Sequence, residues 1–391
     1  MSQHEAHRQQ LTALLGEFSG YWQPQPFREP EPAWALAHPA LAADLLALPD
    51  ADVEHLNEDA HAARRFLAPH LPEILALEAQ LALPPLPKQA IALPGGAWDW
   101  EIPGRKRAQI EAFAAACAPL VPDSEVLDWC SGKGHLGRLL AMGWKVPVHS
   151  LEIDPALCAH GQTLARRAGA RQHFVAADAL QVTDWPRRGQ HAVALHACGE
   201  LHRQLIRQGV AAEVAAFDVA PCCYYRGLVA GYQGLVPCDL SLSHDDVRLA
   251  VTETVTASAR ETRWRDQAMA WKLGFDAYRR SLGEVIYRPF KPVPERLLRA
   301  SFADFMAYIT AREKVPSLSA AGLACFESAG WQRKQALMRY SILRHAFRRA
   351  LEVWLVLDFV VYLERNGYTV RLGEFCSRQL TPRNLLISAR F

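Results

Sequence analysis

The sequence predicts an α/β protein. Its Rossmann-like, mostly parallel sheet has helices on both faces, a helical region before it and a helical insertion ahead of a closing β-hairpin. Three observations predict this. Short apolar runs alternate with helical stretches between residues 125 and 219, the pattern of strand–helix–strand units. Strand signals then stop between Cys223 and Tyr368, and two strand-like runs close the chain. Half of the 391 residues are hydrophobic, enough core for about two to three domain-sized units.

Taken in order, residues 1–95 read as a helical N-terminal domain. Ala/Leu-rich segments such as Glu54–Leu67 and Glu73–Leu83 have amphipathic spacing and are separated by prolines. Pro84-Pro85-Leu86-Pro87 and Pro94-Gly95-Gly96 form a linker. Residues 96–223 form the sheet core, opened by a helix near Lys106–Leu120. Its strands are expected at Glu125–Trp129, Val146–Ile153, Gln172–Ala176, His191–His196 and Val214–Val219. Residues 224–366 are the insertion, with helices over Arg248–Leu282, Phe302–Arg312 and Arg333–Glu364. Residues 367–391 close the sheet as a hairpin, Tyr368–Phe375 and Asn384–Phe391, giving seven strands.

The 43 basic and 41 acidic side chains balance only in sum. Residues 1–100 hold 5 basic and 13 acidic groups, whereas residues 248–349 hold 19 and 9. Either the basic stretch meets a polyanion, or the acidic segment docks on it within one molecule. Charge and aromatic content exclude a disordered chain. Val353–Leu363, the most apolar stretch, contains Asp358 and is too short for a membrane span, so a buried helix is expected. The start has no basic-then-apolar signal, and the nine cysteines lack CxxC spacing. Reduced thiols in a cytoplasm are expected.

The strongest motif is Val126-Leu127-Asp128-Trp129-Cys130-Ser131-Gly132-Lys133-Gly134-His135-Leu136-Gly137. An apolar strand ends in Asp128 and enters a turn in which Gly132 and Gly134 admit close approach of a ligand. Gly132, Gly134 and Gly137 formally fit the dinucleotide pattern GxGxxG. Asp128, however, would repel a pyrophosphate and suits the ammonium or sulfonium side of S-adenosylmethionine. Gly137 at this spacing reads as helix–strand packing and Lys133 as a solvated side chain. Glu152 ends the next strand, where a carboxylate can accept ribose hydroxyl protons. Asp178 follows the third strand, in reach of an adenine amino group. The donor-binding set is thus Asp128, Cys130, Ser131, Gly132, Gly134, Glu152 and Asp178, with a nicotinamide or flavin site and a non-binding fold as alternatives.

With Leu195-His196-Ala197-Cys198-Gly199 and Cys222-Cys223-Tyr224 added to that loop, the chain resembles a family of class I S-adenosylmethionine-dependent methyltransferases. That family is shared by tRNA ribose 2′-O-methyltransferases of the acceptor-stem type, the glutathione-S-transferase-C-terminal-domain-containing protein and dimethylase-like methyltransferase-like proteins. Lys106-Arg107 and Pro382-Arg383-Asn384-Leu385 extend the resemblance toward both ends of the core. It implies S-adenosylmethionine as cofactor and RNA modification as activity, with a protein or small-molecule acceptor, or a donor-binding scaffold without catalysis, as alternatives. The zinc-finger cysteines and histidines of the tRNA enzymes are absent, and residues 1–100 resemble nothing in the family.

Ligands of such a sheet bind beyond the carboxyl ends of its strands, where His196, Cys198, Cys222, Cys223 and Tyr224 are expected to converge. Three readings are open. His196 or Tyr224 handles an acceptor proton at the wall of a pocket, with Glu200 available to orient His196. The cysteines merely pack and His196 bonds locally. Or the thiols bind zinc or react. No metal is assigned, because adjacent Cys222 and Cys223 are poorly spaced for one tetrahedral ion. In the insertion, Arg263, Arg265, Arg279, Arg280, Arg344, Arg348 and Arg349 alternate with Trp264, Trp271, Tyr278 and Phe347. That mixture suits phosphate contacts with base stacking, or else helix cores with a solvated face.

Overall fold

The computed structural model describes residues 1–391 except 90, 92–93, 96–97, 118, 121–123, 254–258 and 285. Gly96 of the expected linker and part of the expected helix 248–282 lie outside the described residues. One sheet organises the chain, with strands β1 (Val126–Trp129), β2 (Val148–Glu152), β3 (Gln172–Ala176), β4 (His191–Cys198), β5 (Ala216–Cys222), β6 (Thr369–Glu374) and β7 (Leu385–Arg390). The order is β3-β2-β1-β4-β5-β7-β6, with β7 antiparallel to both its neighbours and β1 to β5 parallel. The order reverses between β1 and β4, the switch point at which such sheets bind ligands.

All seven expected strands are present. Four expected helices are divided: Glu73–Leu83 is a 3₁₀ turn, Pro72–Leu75, followed by the helix Ala76–Leu81, and Arg248–Leu282 is represented by His244–Leu249 and Ala259–Ser281. Glu54–Leu67 is two helices, Asp50–Glu58 and Ala60–Leu67, because the Asp59 carboxylate accepts from the amides of His61 and Ala62 and restarts the helix as its cap. Arg333–Glu364 is likewise two, Ala320–His345 and Arg348–Arg365, divided where the Phe347 amide bonds the Arg344 carbonyl in a tighter turn.

The chain divides into two compact units. The first comprises Met1–Gly16, Ala76–Val255 and Arg348–Phe391 and contains the sheet. Val353–Leu363 is the buried middle of its helix Arg348–Arg365. Asp358 is tolerated there because its two oxygens accept from the Tyr232 hydroxyl (2.9 Å), the Leu235 amide (2.7 Å), the Val236 amide (3.0 Å) and the Arg8 guanidinium (3.2 Å). A buried carboxylate needs that degree of saturation. Arg383 and Asn384 have a structural role in the same unit. Arg383 donates to the Ala250 carbonyl (2.7 Å) and Glu352 (3.0 Å), and Asn384 to the Cys376 carbonyl (2.8 Å).

The second unit comprises Glu17–Leu75 and Thr256–Phe347. In it the acidic and basic segments meet. Arg339 binds the Asp50 carboxylate (2.8 Å) and the Leu48 carbonyl (2.7 Å), Arg344 donates to the Trp22 carbonyl (2.8 Å), and Arg64 to that of Ala346 (3.1 Å). Among the described residues, no helix is long and apolar enough to cross a membrane.

Candidate active site

The loop after β1 is built on left-handed backbone. Cys130, Gly132 and Gly134 have φ of 57°, 59° and 63°. For Cys130, which has a Cβ, this conformation costs on the order of 1–3 kcal/mol. The two glycines have different reasons to be there. A Cβ on Gly134 would stand 2.3 Å from the Gln172 amide nitrogen and 2.4 Å from the Phe174 ring. Gly134 therefore answers to packing by β3. A Cβ on Gly132 would meet nothing within 4 Å, so its surroundings are open space. Gly137 serves packing, as its spacing suggested, since a Cβ there would press on Asp128, Ser150 and Gln172. Lys133 forms a surface pair with Glu101 at 2.9 Å.

Asp128 lies beneath this loop at 3% exposure. Its Oδ2 accepts from the Gly137 amide (3.0 Å) and the Ser150 hydroxyl (3.2 Å), and Gln172 ties Ser150 to the Gly134 carbonyl. Burial raises the Asp128 carboxyl to about 7, against the pull of the Gly137 and Ser150 bonds and of the Lys106 cation. Glu152 braces the loop from β2, accepting from the Gly132 amide (2.9 Å) and the Asp154 amide (3.1 Å). Cys130 is pushed up to about 12 by burial, with Glu152 and Asp128 adding to it. The Ser131 hydroxyl oxygen is buried with no hydrogen-bond partner. Asp178, half-buried past β3, accepts from the Leu180 amide at 2.9 Å.

At the ends of β4 and β5 the backbone is again left-handed on non-glycine residues, His196 at φ 71° and Cys223 at φ 46°. The strand register shifts between Leu195 and Cys198, and the shift sets Cys198 opposite Cys222. Their sulfurs are 3.5 Å apart. The Cys223 thiol is lowered by hydrogen bonds with Cys198 and then Cys222, while Cys222 is raised by those with Cys198 and then Cys223.

His196 Nε2 lies 3.1 Å from Gln109 Oε1. Burial lowers the imidazole, and the Lys106 cation lowers it further. Gln109 and Lys106 were not singled out from the sequence as site residues. They belong to one helix, Gly104–Ala116, and the Lys106-Arg107 pair was the signal pointing to it. Glu200 does not orient His196, because it pairs with Arg203 (3.0 Å) and Arg207. Tyr224 is 1% exposed. Its ring packs against His202 and Phe359, and its hydroxyl donates to the Pro221 carbonyl at 3.4 Å.

Most of the arginine–aromatic set of the insertion is engaged internally. Trp271, Tyr278 and Phe347 are core residues. Arg279 and Arg280 bind Asp276, Arg349 binds Glu352, and Arg348 binds the Thr252 hydroxyl. Arg263 and Arg265 are exposed on either side of half-buried Trp264.

Residues 105–226 match the family described as "Methyltransferase domain". Over 122 residues the chain is 30% identical to a glutathione S-transferase C-terminal domain-containing protein homolog of Drosophila pseudoobscura pseudoobscura, covering 31% of this chain and 20% of that protein. The chain thus spans a fifth of the length of this relative. Similar solved structures include a Pyrococcus abyssi tRNA (uracil-54, C5)-methyltransferase in complex with S-adenosyl-L-homocysteine, at 16% identity, 30% and 28% coverage and a TM-score of 0.24. An rRNA methylase from Streptococcus thermophilus is similar at 15% identity, 36% and 90% coverage and a TM-score of 0.24. The segment matched by this family, 105 to 226, holds β1 to β5 and the strained loops at their carboxyl ends.

Proposed function

We propose that this protein transfers the methyl group of S-adenosylmethionine to an acceptor, and that the acceptor is RNA. The observation that carries the donor assignment is the loop Cys130–Gly134. It holds left-handed backbone, open space at Gly132 and an unpartnered buried hydroxyl at Ser131, beside a buried carboxylate and a second carboxylate at the end of β2. These groups fit the donor. Asp128 would balance its positive charge, Ser131 would take a polar atom of its methionine end, Glu152 its ribose hydroxyls and Asp178 its adenine amino group. S-adenosylmethionine supplies a methyl group activated on a sulfonium sulfur. The protein's share of the rate then comes from alignment and exclusion of water.

His196 is the group we assign to take a proton from the acceptor, at Nδ1, since Nε2 carries the N–H that donates to Gln109 Oε1. Its lowered pKa keeps the ring neutral near pH 7, and Gln109 fixes its orientation. Tyr224, buried in a ring cluster, is assigned a packing role. RNA is supported by the family resemblance and by the exposed Arg263 and Arg265. The lack of CxxC spacing among the nine cysteines supports a reducing, cytoplasmic setting.

Incubation with methyl-labelled donor and total cell extract, followed by separation into RNA, protein and small molecules, tests the acceptor: label outside the RNA fraction overturns it. Calorimetry tests the donor. Asp128→Ala should lose at least about tenfold in affinity, and unchanged affinity sinks the assignment. In the unaltered protein, affinity should fall about tenfold per pH unit below pH 7. The cation needs the ionised carboxylate, and folding has raised that group's pKa to about 7.

A further inference from the structure

Cys198, Cys222 and Cys223 have sulfurs that all lie within 4.8 Å of one another. In a regular strand, adjacent residues point to opposite faces, so Cys222 and Cys223 should not share a site. They do because Cys223 leaves β5 in the left-handed conformation, φ 46°. The third sulfur arrives by a second irregularity. The register shift after Leu195, with His196 at φ 71°, brings Cys198 level with Cys222. Two departures from ordinary backbone on two strands thus converge on one cluster. Thiols that only filled a core would not require either.

We propose that these three cysteines bind a zinc ion as thiolates, with the fourth coordination position open. Tetrahedral zinc with sulfur ligands at about 2.3 Å needs sulfurs about 3.8 Å apart. Cys198 and Cys222 stand at 3.5 Å, and no pair in the set exceeds 4.8 Å. Three thiolates on one zinc leave a net charge of −1, which the nearby Arg226 cation balances. His196 is held by Gln109 and is not a fourth ligand. Three protein ligands and an open place are the arrangement of catalytic zinc, and here that place lies at the carboxyl edge of β4 and β5.

The test uses the full chain purified under a thiol-free reductant. Elemental analysis should find about one zinc per chain after gel filtration, and cobalt added in its place should give an intense thiolate-to-metal charge-transfer band. Cys198→Ser/Cys223→Ser should abolish the band at unchanged far-UV dichroism. Should that variant fail to fold, the unaltered protein decides. Less than about 0.1 zinc per folded chain with excess zinc supplied, together with no cobalt band, overturns the proposal. Neither readout depends on methyl transfer.

Discussion

The carboxyl edge of the sheet and the basic helical unit use the same kinds of polar residue in opposite ways. At the sheet edge, Cys130, His196 and Cys223 hold strained backbone, Ser131 keeps a buried hydroxyl without a partner, and Asp128 sits at a pKa far from its ordinary value. In the helical unit Asp276 collects Arg279, Arg280 and Arg333, while Arg339 and Arg344 secure backbone carbonyls. One region gathers left-handed non-glycine backbone at its strand ends, and the other uses its charges to hold helices together. The comparison teaches that residue type marks a site poorly. Left-handed non-glycine residues gathered at the strand ends mark it better.

The sharpest break of that contrast is at His196. His196→Ala should lower kcat by about 10²–10⁴ with a hydroxyl acceptor while leaving donor affinity unchanged. In the unaltered enzyme the acid limb of the rate profile should lie below pH 6.5, because burial and Lys106 depress the imidazole. Lys106→Ala should move that limb upward. A profile unmoved by Lys106→Ala separates His196 from the proton transfer.

The two loop glycines sharpen the comparison within the site. Gly134→Ala should destabilise the fold by about 2–4 kcal/mol, combining a left-handed alanine with a collision against Gln172 and Phe174. Gly132→Ala should cost only about 1–2 kcal/mol, since its Cβ meets no protein atom. It should weaken donor binding about tenfold or more, because that Cβ enters the ligand's space. Thermal melting and calorimetry on both variants check this, and an equal effect of the two would merge their roles.

The smallest effect belongs to the helical unit. Arg263→Glu/Arg265→Glu should reduce the slope of log affinity for RNA against log salt by about 2 without changing the melting temperature. A slope already flat in the unaltered protein removes RNA from that face.

The strands were legible in the sequence because an apolar strand flanked by polar turns is a local pattern. So was the left-handed loop after β1, in which an acidic strand residue and closely spaced glycines lie in one continuous run. The helix breaks at Asp59 and Phe347 were less legible, since each depends on one cap or one tightened turn inside an otherwise helical stretch. The roles of Gly134 and Gln109 required partners distant in sequence, on β3 and β4 respectively.

By itself, then, the sequence determined the α/β order, the seven strands and the loop that opens the site, all of which follow from periodicity over a few residues. Only the tertiary structure decided which polar groups are in use. It absorbed most of the arginine–aromatic set into pairs and cores. It buried Tyr224 and drew Cys198, Cys222 and Cys223 to one point through two left-handed residues. The reason is physical: satisfaction of a hydrogen bond, burial of a charge and strain of a backbone are set by neighbours that folding brings together, and no local pattern encodes them.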